Sequence, residues 1–230
     1  MAASRLAGGA LLEVRDLRFA WPGAAEDCIR LASLDLAAGE RLFVSGPSGC
    51  GKSTLLSLLA GVVLPCSGTV RLQGRDWAEM SAAARDRVRA DSVGYIFQQF
   101  NLVPYLSVLD NALLPCRFSA RRAGRAGDPR AEGRRLLERA GLGRELWTRS
   151  AAAVSVGQQQ RVAAVRALLG APELVMADEP TSALDEPVKE SFMELLLGAC
   201  AAAGSALVFV SHDARLSARF DRSIALAAHS

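Results

Sequence analysis

Nine residues, Gly46-Pro47-Ser48-Gly49-Cys50-Gly51-Lys52-Ser53-Thr54, constrain what this chain can fold into more than any other stretch. They satisfy the pattern G-x-x-x-x-G-K-[ST]. They also join a short apolar run, Arg41 to Ser45, that reads as a strand, to a segment whose apolar spacing turns helical from Ser53. At such a junction the glycines let backbone N–H groups wrap phosphate oxygens. The following helix presents its positive end, and the Lys52 ammonium neutralises the β and γ oxygens. The Ser53 hydroxyl becomes a candidate ligand of Mg²⁺. All nine residues are therefore candidates for nucleotide binding, and the loop requires an α/β core to deliver it.

The composition fits such a core. With 230 residues, 50% hydrophobic, 22% charged and 6% aromatic, the chain has the length and balance of one sizeable α/β domain, which argues against disorder and repeat architectures. The longest uncharged stretch, Leu195 to His212, is broken by Gly198 and Gly204-Ser205. It falls short of the roughly 20 apolar residues of a bilayer crossing and reads as a helix end, a turn and a strand. Met1 to Ala10 runs almost at once into Glu13, Arg15 and Asp16, leaving no room for a signal-peptide core, so a cytoplasmic chain is expected. Five scattered cysteines, none spaced C-x-x-C, suggest neither a disulfide framework nor a zinc site. Only Lys52 and Lys189 are lysines among the 27 basic residues. The net charge of +3 is local: residues 117–135 hold seven arginines against Asp128 and Glu132, and the remainder of the chain is slightly acidic. With no aromatic but Phe118 interleaved, this cluster reads first as a solvated face, next as a lipid-proximal one and last as a nucleic-acid site.

Strands are expected at Leu11 to Leu17, Leu31 to Leu36, Arg41 to Ser45, Thr69 to Leu72, Val93 to Phe97, Leu174 to Ala177 and Ala206 to Val210, with a closing one at Ser223 to Ala227. Between Leu106 and Leu169 strand signals vanish and helical spacing replaces them, as in Ala131 to Ala140 and Gln158 to Leu169. The expected organisation is a single domain over 1–230, an α/β core of about 1–98 and 166–230 with a helical insert of about 99–165.

A second constellation decides what is done with the nucleotide. The strand Leu174-Val175-Met176-Ala177 ends in Asp178-Glu179-Pro180, which puts Asp178 at the sheet's carboxyl edge, where it can hold Mg²⁺ alongside Ser53. Glu179, one residue on, is placed to polarise a water for in-line attack on the γ-phosphorus, so hydrolysis is expected. The apolar run Ala206 to Val210 ends in Ser211-His212-Asp213 at the same edge, where His212 can face the γ-phosphate.

In chain order, these strings resemble the motifs of ABC-transporter ATPase subunits over nearly the whole length. Gly46 to Thr54 resembles the Walker A loop, Gln98 in Tyr95-Ile96-Phe97-Gln98 the Q-loop glutamine, and Val154-Ser155-Val156-Gly157-Gln158 the signature. Leu174 to Glu179 resembles Walker B, Ser182-Ala183-Leu184-Asp185 the D-loop with Asp185, His212 the switch histidine, and Trp21 the aromatic that stacks on adenine. Pro65-Cys66-Ser67-Gly68, Phe97 to Pro104, Gln158 to Ala163 and Ala177 to Thr181 look most like the lipoprotein-release and macrolide-export subgroup.

The resemblance implies a P-loop NTPase core of the ABC ATPase type, α/β, with an N-terminal antiparallel β region and a helical insert. It implies ATP and Mg²⁺ as cofactors, with Ser53, Gln98 and Asp178 at the metal and Glu179, His212 and Gln98 at the catalytic site. The signature residues Ser155, Val156, Gly157 and Gln158 would meet ATP held by a second subunit, a homodimer being the expected form, since the N-terminus of the helix they open favours an anion. An integral membrane permease is the further partner, with the chain peripheral on the cytoplasmic face of the membrane; nucleic acid is not expected. Two other readings remain open: an ATP-gated regulatory or interaction protein with weak hydrolysis, and a soluble ABC ATPase acting on nucleic acid. Val156 stands where the family usually has glycine. A β-branched residue resists positive φ, so slow but real turnover is expected. Cys50, inside the loop and near Lys52, reads first as a small filler residue; the other reading is a thiol close to bound nucleotide, whose alkylation is expected to block ATP.

Overall fold

The computed structural model describes residues 9–182 and 184–226. In chain order the elements are β1 (Leu12–Phe19), β2 (Ile29–Leu36), β3 (Arg41–Ser45), α1 (Lys52–Leu59), β4 (Ser67–Leu72), β5 (Arg75–Asp76), α2 (Ala82–Ser92) and β6 (Val93–Ile96). There follow α3 (Val108–Phe118), α4 (Ala120–Ala126), α5 (Pro129–Arg139), α6 (Val156–Leu168), β7 (Leu174–Asp178), α7 (Glu186–Ala203), β8 (Ala206–Val210) and β9 (Arg222–Ala225). The expected N-terminal antiparallel region is present as a sheet of order β2-β1-β4-β5. The second sheet, β6-β7-β8-β3-β9, is parallel throughout. Residue 227, the end of the expected closing strand, and His229 lie outside the described residues. No described helix is long and apolar enough to cross a membrane.

The central strands β3, β7 and β8 are buried on both faces, and side-chain alternation divides each of them between two cores. Leu42 and Val44, Leu174 and Met176, and Val208 and Val210 face α1 and the antiparallel sheet. Phe43, Val175, Ala177, Leu207 and Phe209 face α6 and α7. Phe43 stacks on Phe209 with centroids 6.2 Å apart, and Phe220 tilts against both. A third core, built from Leu109, Leu113, Leu137, Val162 and Val165 among others, holds α3 and α5 against α6. On β1 the alternation slips by one residue at Asp16, whose φ is 48°, and the pairing with β4 shifts register there; Leu17 and Phe19 thereby return to the core.

Because β3, β6, β7 and β8 run parallel and in step, with Val44 and Asp178 both opposite Val210 and Ile96 opposite Ala177, their carboxyl ends deliver four loops to one edge. These are the loop before α1, the segment of Gln98, the acidic pair and the segment of His212.

Six of the seven arginines of the cluster are exposed, as expected of a solvated face; Arg122 is the exception and ties the helical region to the core. Arg122 on α4 is 2% exposed. Its Nε donates to the carbonyl of Leu169 at 2.8 Å and its Nη atoms to those of Ala167 at 2.6 Å and Val93 at 3.3 Å. The guanidinium thus gathers the carbonyls at the end of α6 and the start of β6, and burial pulls its pKa down to about 10. Arg121 and Arg125 pair with Glu173, Arg117 with Asp110 and Arg135 with Glu132. Replacing Arg122 by Met fills the volume but leaves several buried carbonyls without donors. Arg122→Met should therefore lower stability by about 3 kcal/mol. The check is urea unfolding; a midpoint equal to that of the wild type would show that the clasp contributes nothing.

Candidate functional site

At the carboxyl edge of the parallel sheet a cavity of about 450 Å³ is lined by Ser48, Gly49, Gly51, Lys52, Ser53, Thr54, Gln98, Glu179, Ser182 and His212. Its floor is the loop before α1. Gly49 and Gly51 hold φ of 81° and 92°, a turn that side-chain-bearing residues enter only with strain, and a Cβ on Gly51 would stand 2.7 Å from Ile29 Cδ1. Gly51 is also the N-cap of α1 and brings no side-chain cap, so the first N–H groups of that helix point to the cavity free of side-chain acceptors. Lys52, 8% exposed, folds back over the loop and donates from Nζ to the carbonyls of Gly46 and Pro47 at 2.9 Å each.

Opposite the lysine stands Glu179. Its Oε1 is 3.7 Å from Lys52 Nζ and its Oε2 is 2.7 Å from His212 Nδ1. The residue is 9% exposed and adopts φ of 45°, an uncommon conformation for a residue with a side chain. Its N–H donates to the Val210 carbonyl at 3.0 Å, and its carbonyl accepts from the Ser182 hydroxyl at 3.0 Å. The surrounding bonds hold the strained turn in place, which is how local strain survives at a working site. The result is a carboxylate between an ammonium and an imidazole on the cavity wall, suited to steering a water or holding a proton.

Asp178, 7% exposed, ends β7 beside Ser53. Burial raises its pKa above the ordinary aspartate value and Glu179 pushes it the same way, against the pull of the Ser53 hydroxyl and Lys52. Its Oδ1 is buried and has no hydrogen-bond partner among the described residues. A buried, unpartnered carboxylate oxygen next to a hydroxyl, with a phosphate cavity alongside, fits a hard divalent cation that brings water and phosphate oxygens as its other ligands.

Gln98 lies on the cavity wall, while Gln99 does not. The other residues marked in the sequence lie elsewhere. Trp21 is half-exposed, edge-on to Phe19 at 5.1 Å, and outside the cavity lining. Of the two readings of Cys50, the structure agrees with the small filler and not with a thiol facing the ligand. Cys50 is 5% exposed in the core, and a Cβ on Gly46 would lie 2.6 Å from its Sγ; its N–H donates to the Pro47 carbonyl at 3.3 Å. The side chain is filler beneath the loop.

Ser155, Val156, Gly157 and Gln158 lie outside the cavity lining as well. They open α6 with a reciprocal cap: the Ser155 hydroxyl accepts from the Gln158 N–H at 3.3 Å, and Gln158 Oε1 accepts from the Ser155 N–H at 2.9 Å. Val156 is the first residue of the helix, keeps negative φ and is 53% exposed, so the expected backbone strain at this position is absent. Asp185 is the N-cap residue of α7 without a side-chain cap bond; its neighbour Ala183 is outside the described residues. The sequence reading missed Ser182 as a cavity residue. It also missed the pairing of Lys189 with Asp213, for which the only signal was the rarity of lysine.

Comparison with known proteins agrees with this geometry. Residues 29–182 match the family described as ABC transporter. The lipoprotein-releasing system ATP-binding protein LolD of Shewanella denitrificans is 38% identical over 203 residues, 88% of this chain and 85% of that protein. The uncharacterized ABC transporter ATP-binding protein YbbA of Escherichia coli is 41% identical over 82% of this chain and 81% of its own. A dimeric structure of the ATP-binding cassette MJ0796, in a post-hydrolysis state with ADP and Pi bound, superposes with a TM-score of 0.85 at 31% identity, covering 95% of this chain and 97% of that one.

The buried carboxylate gives a prediction. With its folded pKa raised above the unfolded value, Asp178 favours the fold most when protonated, at low pH, and that contribution is lost as pH rises through the folded pKa. Ligand-free Asp178→Asn should therefore be more stable than the wild type at neutral pH, with the gap closing on acidification. Urea midpoints of both proteins between about pH 4 and pH 8 check this. A wild type equal to the variant at every pH would refute it.

Proposed function

The chain belongs to the ABC transporter family, and from that premise we propose that it is the ATPase subunit of a lipoprotein-releasing or related export complex, in which two copies close on ATP beneath a membrane permease. The observation that carries the catalytic half is the Glu179 carboxylate, 2.7 Å from His212 and 3.7 Å from Lys52 on the wall of the phosphate-loop cavity.

In this reading the backbone of Gly46 to Thr54 and the N-terminus of α1 cradle the phosphates, and Lys52 exchanges its carbonyl partners for phosphate oxygens. Ser53, Asp178 and Gln98 hold Mg²⁺, which supplies charge neutralisation for the phosphates; the unpartnered Asp178 Oδ1 supports this assignment. Glu179 orients the attacking water and accepts its proton, and His212 fixes the carboxylate through Oε2 while reaching toward the γ-phosphate. Trp21 stacks on the adenine. The chain acts as a single cassette whose helical insert carries the signature.

The signature's position away from its own cavity supports closure across two copies. Ser155, Gly157 and the first turn of α6 would present their N–H groups to the γ-phosphate bound by the other subunit, with Asp185 at the same seam. Hydrolysis removes that anion and loosens the pair. Gln98 links the cavity to a groove of about 420 Å³ lined by Tyr95, Phe97, Leu114, Pro115 and Phe118, with Phe118 77% exposed. An apolar groove one residue from Gln98 suits a segment of a permease, which would keep the chain at the cytoplasmic face of the membrane.

Val156 favours a slower variant of the same reading, because its side chain projects from the helix end that meets the partner's nucleotide. Steady-state ATPase assays test both statements. Glu179→Gln should retain ATP binding and accumulate as a dimer with turnover at least about 100-fold down. Val156→Gly should raise turnover about fivefold. A Glu179→Gln protein that turns over like the wild type would overturn the assignment of the water-steering group, and an unchanged rate in Val156→Gly would show the valine to be harmless.

A further inference from the structure

Beyond the wall of the phosphate cavity, four charged side chains form a closed ring. Lys189, on the first turns of α7, donates from Nζ to Glu186 Oε1 at 2.9 Å and to Asp213 Oδ2 at 3.1 Å. Arg215 donates to the same two acceptor atoms, to Glu186 Oε1 at 2.9 Å and to Asp213 Oδ2 at 2.8 Å, and its Nε reaches Asp213 Oδ1 at 2.8 Å. The four members are not equivalent. Glu186 and Arg215 stand in solvent, with side chains 67% and 73% exposed, whereas Lys189 and Asp213 are 13% and 15% exposed. The covered pair therefore retains an interaction that salt screens at the rim.

The location gives the ring its meaning. Asp213 follows His212 directly, and its N–H is held by the Ser211 hydroxyl at 3.1 Å. Lys189 lies four residues after Asp185 and its N–H donates to the Asp185 carbonyl at 2.9 Å. A cavity of about 350 Å³ is lined by Ser182, Leu184 and Lys189 from the one segment and by Ser211, His212 and Asp213 from the other. Lys189 is the described side chain that crosses from α7 to the covered oxygen of Asp213. Twenty-five of the chain's 27 basic residues are arginine, and the only lysine besides Lys52 stands here. A compact ammonium on a slim stem fits a covered gap between two carboxylates where a planar guanidinium is broader.

We propose that Lys189 is a positioning residue for ATP hydrolysis: by clasping Asp213 it anchors the segment that carries His212 to the start of α7, and so keeps the imidazole against Glu179. This rests on the hydrolytic reading above. The clasp does not touch the nucleotide cavity, whose lining excludes Lys189, so its loss acts on turnover and leaves nucleotide affinity alone.

The test compares wild type, Lys189→Ala, Lys189→Arg, Asp213→Asn and the Lys189→Ala/Asp213→Asn double variant, measuring kcat, the ATP concentration for half-maximal rate, ADP affinity and thermal midpoint on the full chain. Lys189→Ala should lower kcat about tenfold, because a small misplacement of a catalytic group is costly, with ADP affinity within about twofold. Lys189→Arg should recover about half of the loss in kcat, because it retains the charge, and the double variant should be no slower than the worse single one, as expected for residues acting as a unit. A Lys189→Ala kcat equal to that of a turning-over wild type sinks this inference and leaves the hydrolytic reading standing. Equal losses of kcat and ADP affinity, tracking a fall in thermal midpoint, overturn it in favour of a merely structural ion pair. A wild type that binds ATP without turnover sinks both.

Discussion

Everything at the site depends on the shared direction and register of β3, β6, β7 and β8. A parallel sheet sends all its strand ends to one edge, and the in-step pairing of Val44, Val210 and Asp178 leaves the following residues level with one another. In the proposed function that edge supplies donors for phosphate, a carboxylate for a cation and a second carboxylate for water. Each of these arises within two residues of a strand end or at the helix N-terminus that follows. Burial of the central strands on both faces fixes the arrangement: slipping one of them by a residue would exchange its two core faces, sending Val175 and Ala177 into the space shaped for Leu174 and Met176.

The strands at Arg41–Ser45, Leu174–Asp178 and Ala206–Val210 were legible because they are continuous apolar runs closed by glycine or polar residues. The loop before α1 and the acidic pair were legible because their residue types are demanded by phosphate chemistry. Other features left weaker traces. The helix α2 reads AAARDRVRADS, with only Val88 and Ser92 buried, so no apolar stripe announces it. The two-residue β5 is too short for any periodicity, and β1 conceals its continuation past Leu17 to Phe19 behind a register shift. Arg122 is indistinguishable by composition from the other arginines of its segment, yet it alone among them is buried. Cys50 left two readings, filler and ligand-facing thiol, because a loop position does not reveal which way its side chain turns; the buried side chain agrees with the first. At Val156 only the expected backbone strain is absent, since the helix begins there and demands no positive φ.

The strain at Glu179 is informative about how the site is stabilised. A buried glutamate in a left-handed backbone conformation, 3.7 Å from an ammonium and 2.7 Å from an imidazole, is costly by conformation and by desolvation. The structure offsets this with one bond from the same turn, the Ser182 hydroxyl, and two from the distant end of β8, the Val210 carbonyl and His212. The carboxylate is thus oriented before any substrate arrives, which lowers the reorganisation left for the reaction itself.

The helix α6 connects this oriented site to whatever meets the signature. At its start the Ser155–Gln158 cap aims the first N–H groups outward. One turn later, the buried Gln160 donates to the Pro180 carbonyl, directly after Glu179. Toward its end Arg166 donates to the carbonyls of Phe100 at 2.6 Å and Asn101 at 2.7 Å, two residues of positive φ just after Gln98 and Gln99. Finally the carbonyls of Ala167 and Leu169 are gathered by Arg122. A helix of 13 residues spans about 20 Å and does not compress, so a displacement imposed at Ser155 reaches the turn of Glu179 and the segment of Gln98 through direct bonds. In the proposed complex, coupling between nucleotide, second copy and membrane partner would have a contiguous physical carrier in these bonds to main-chain carbonyls.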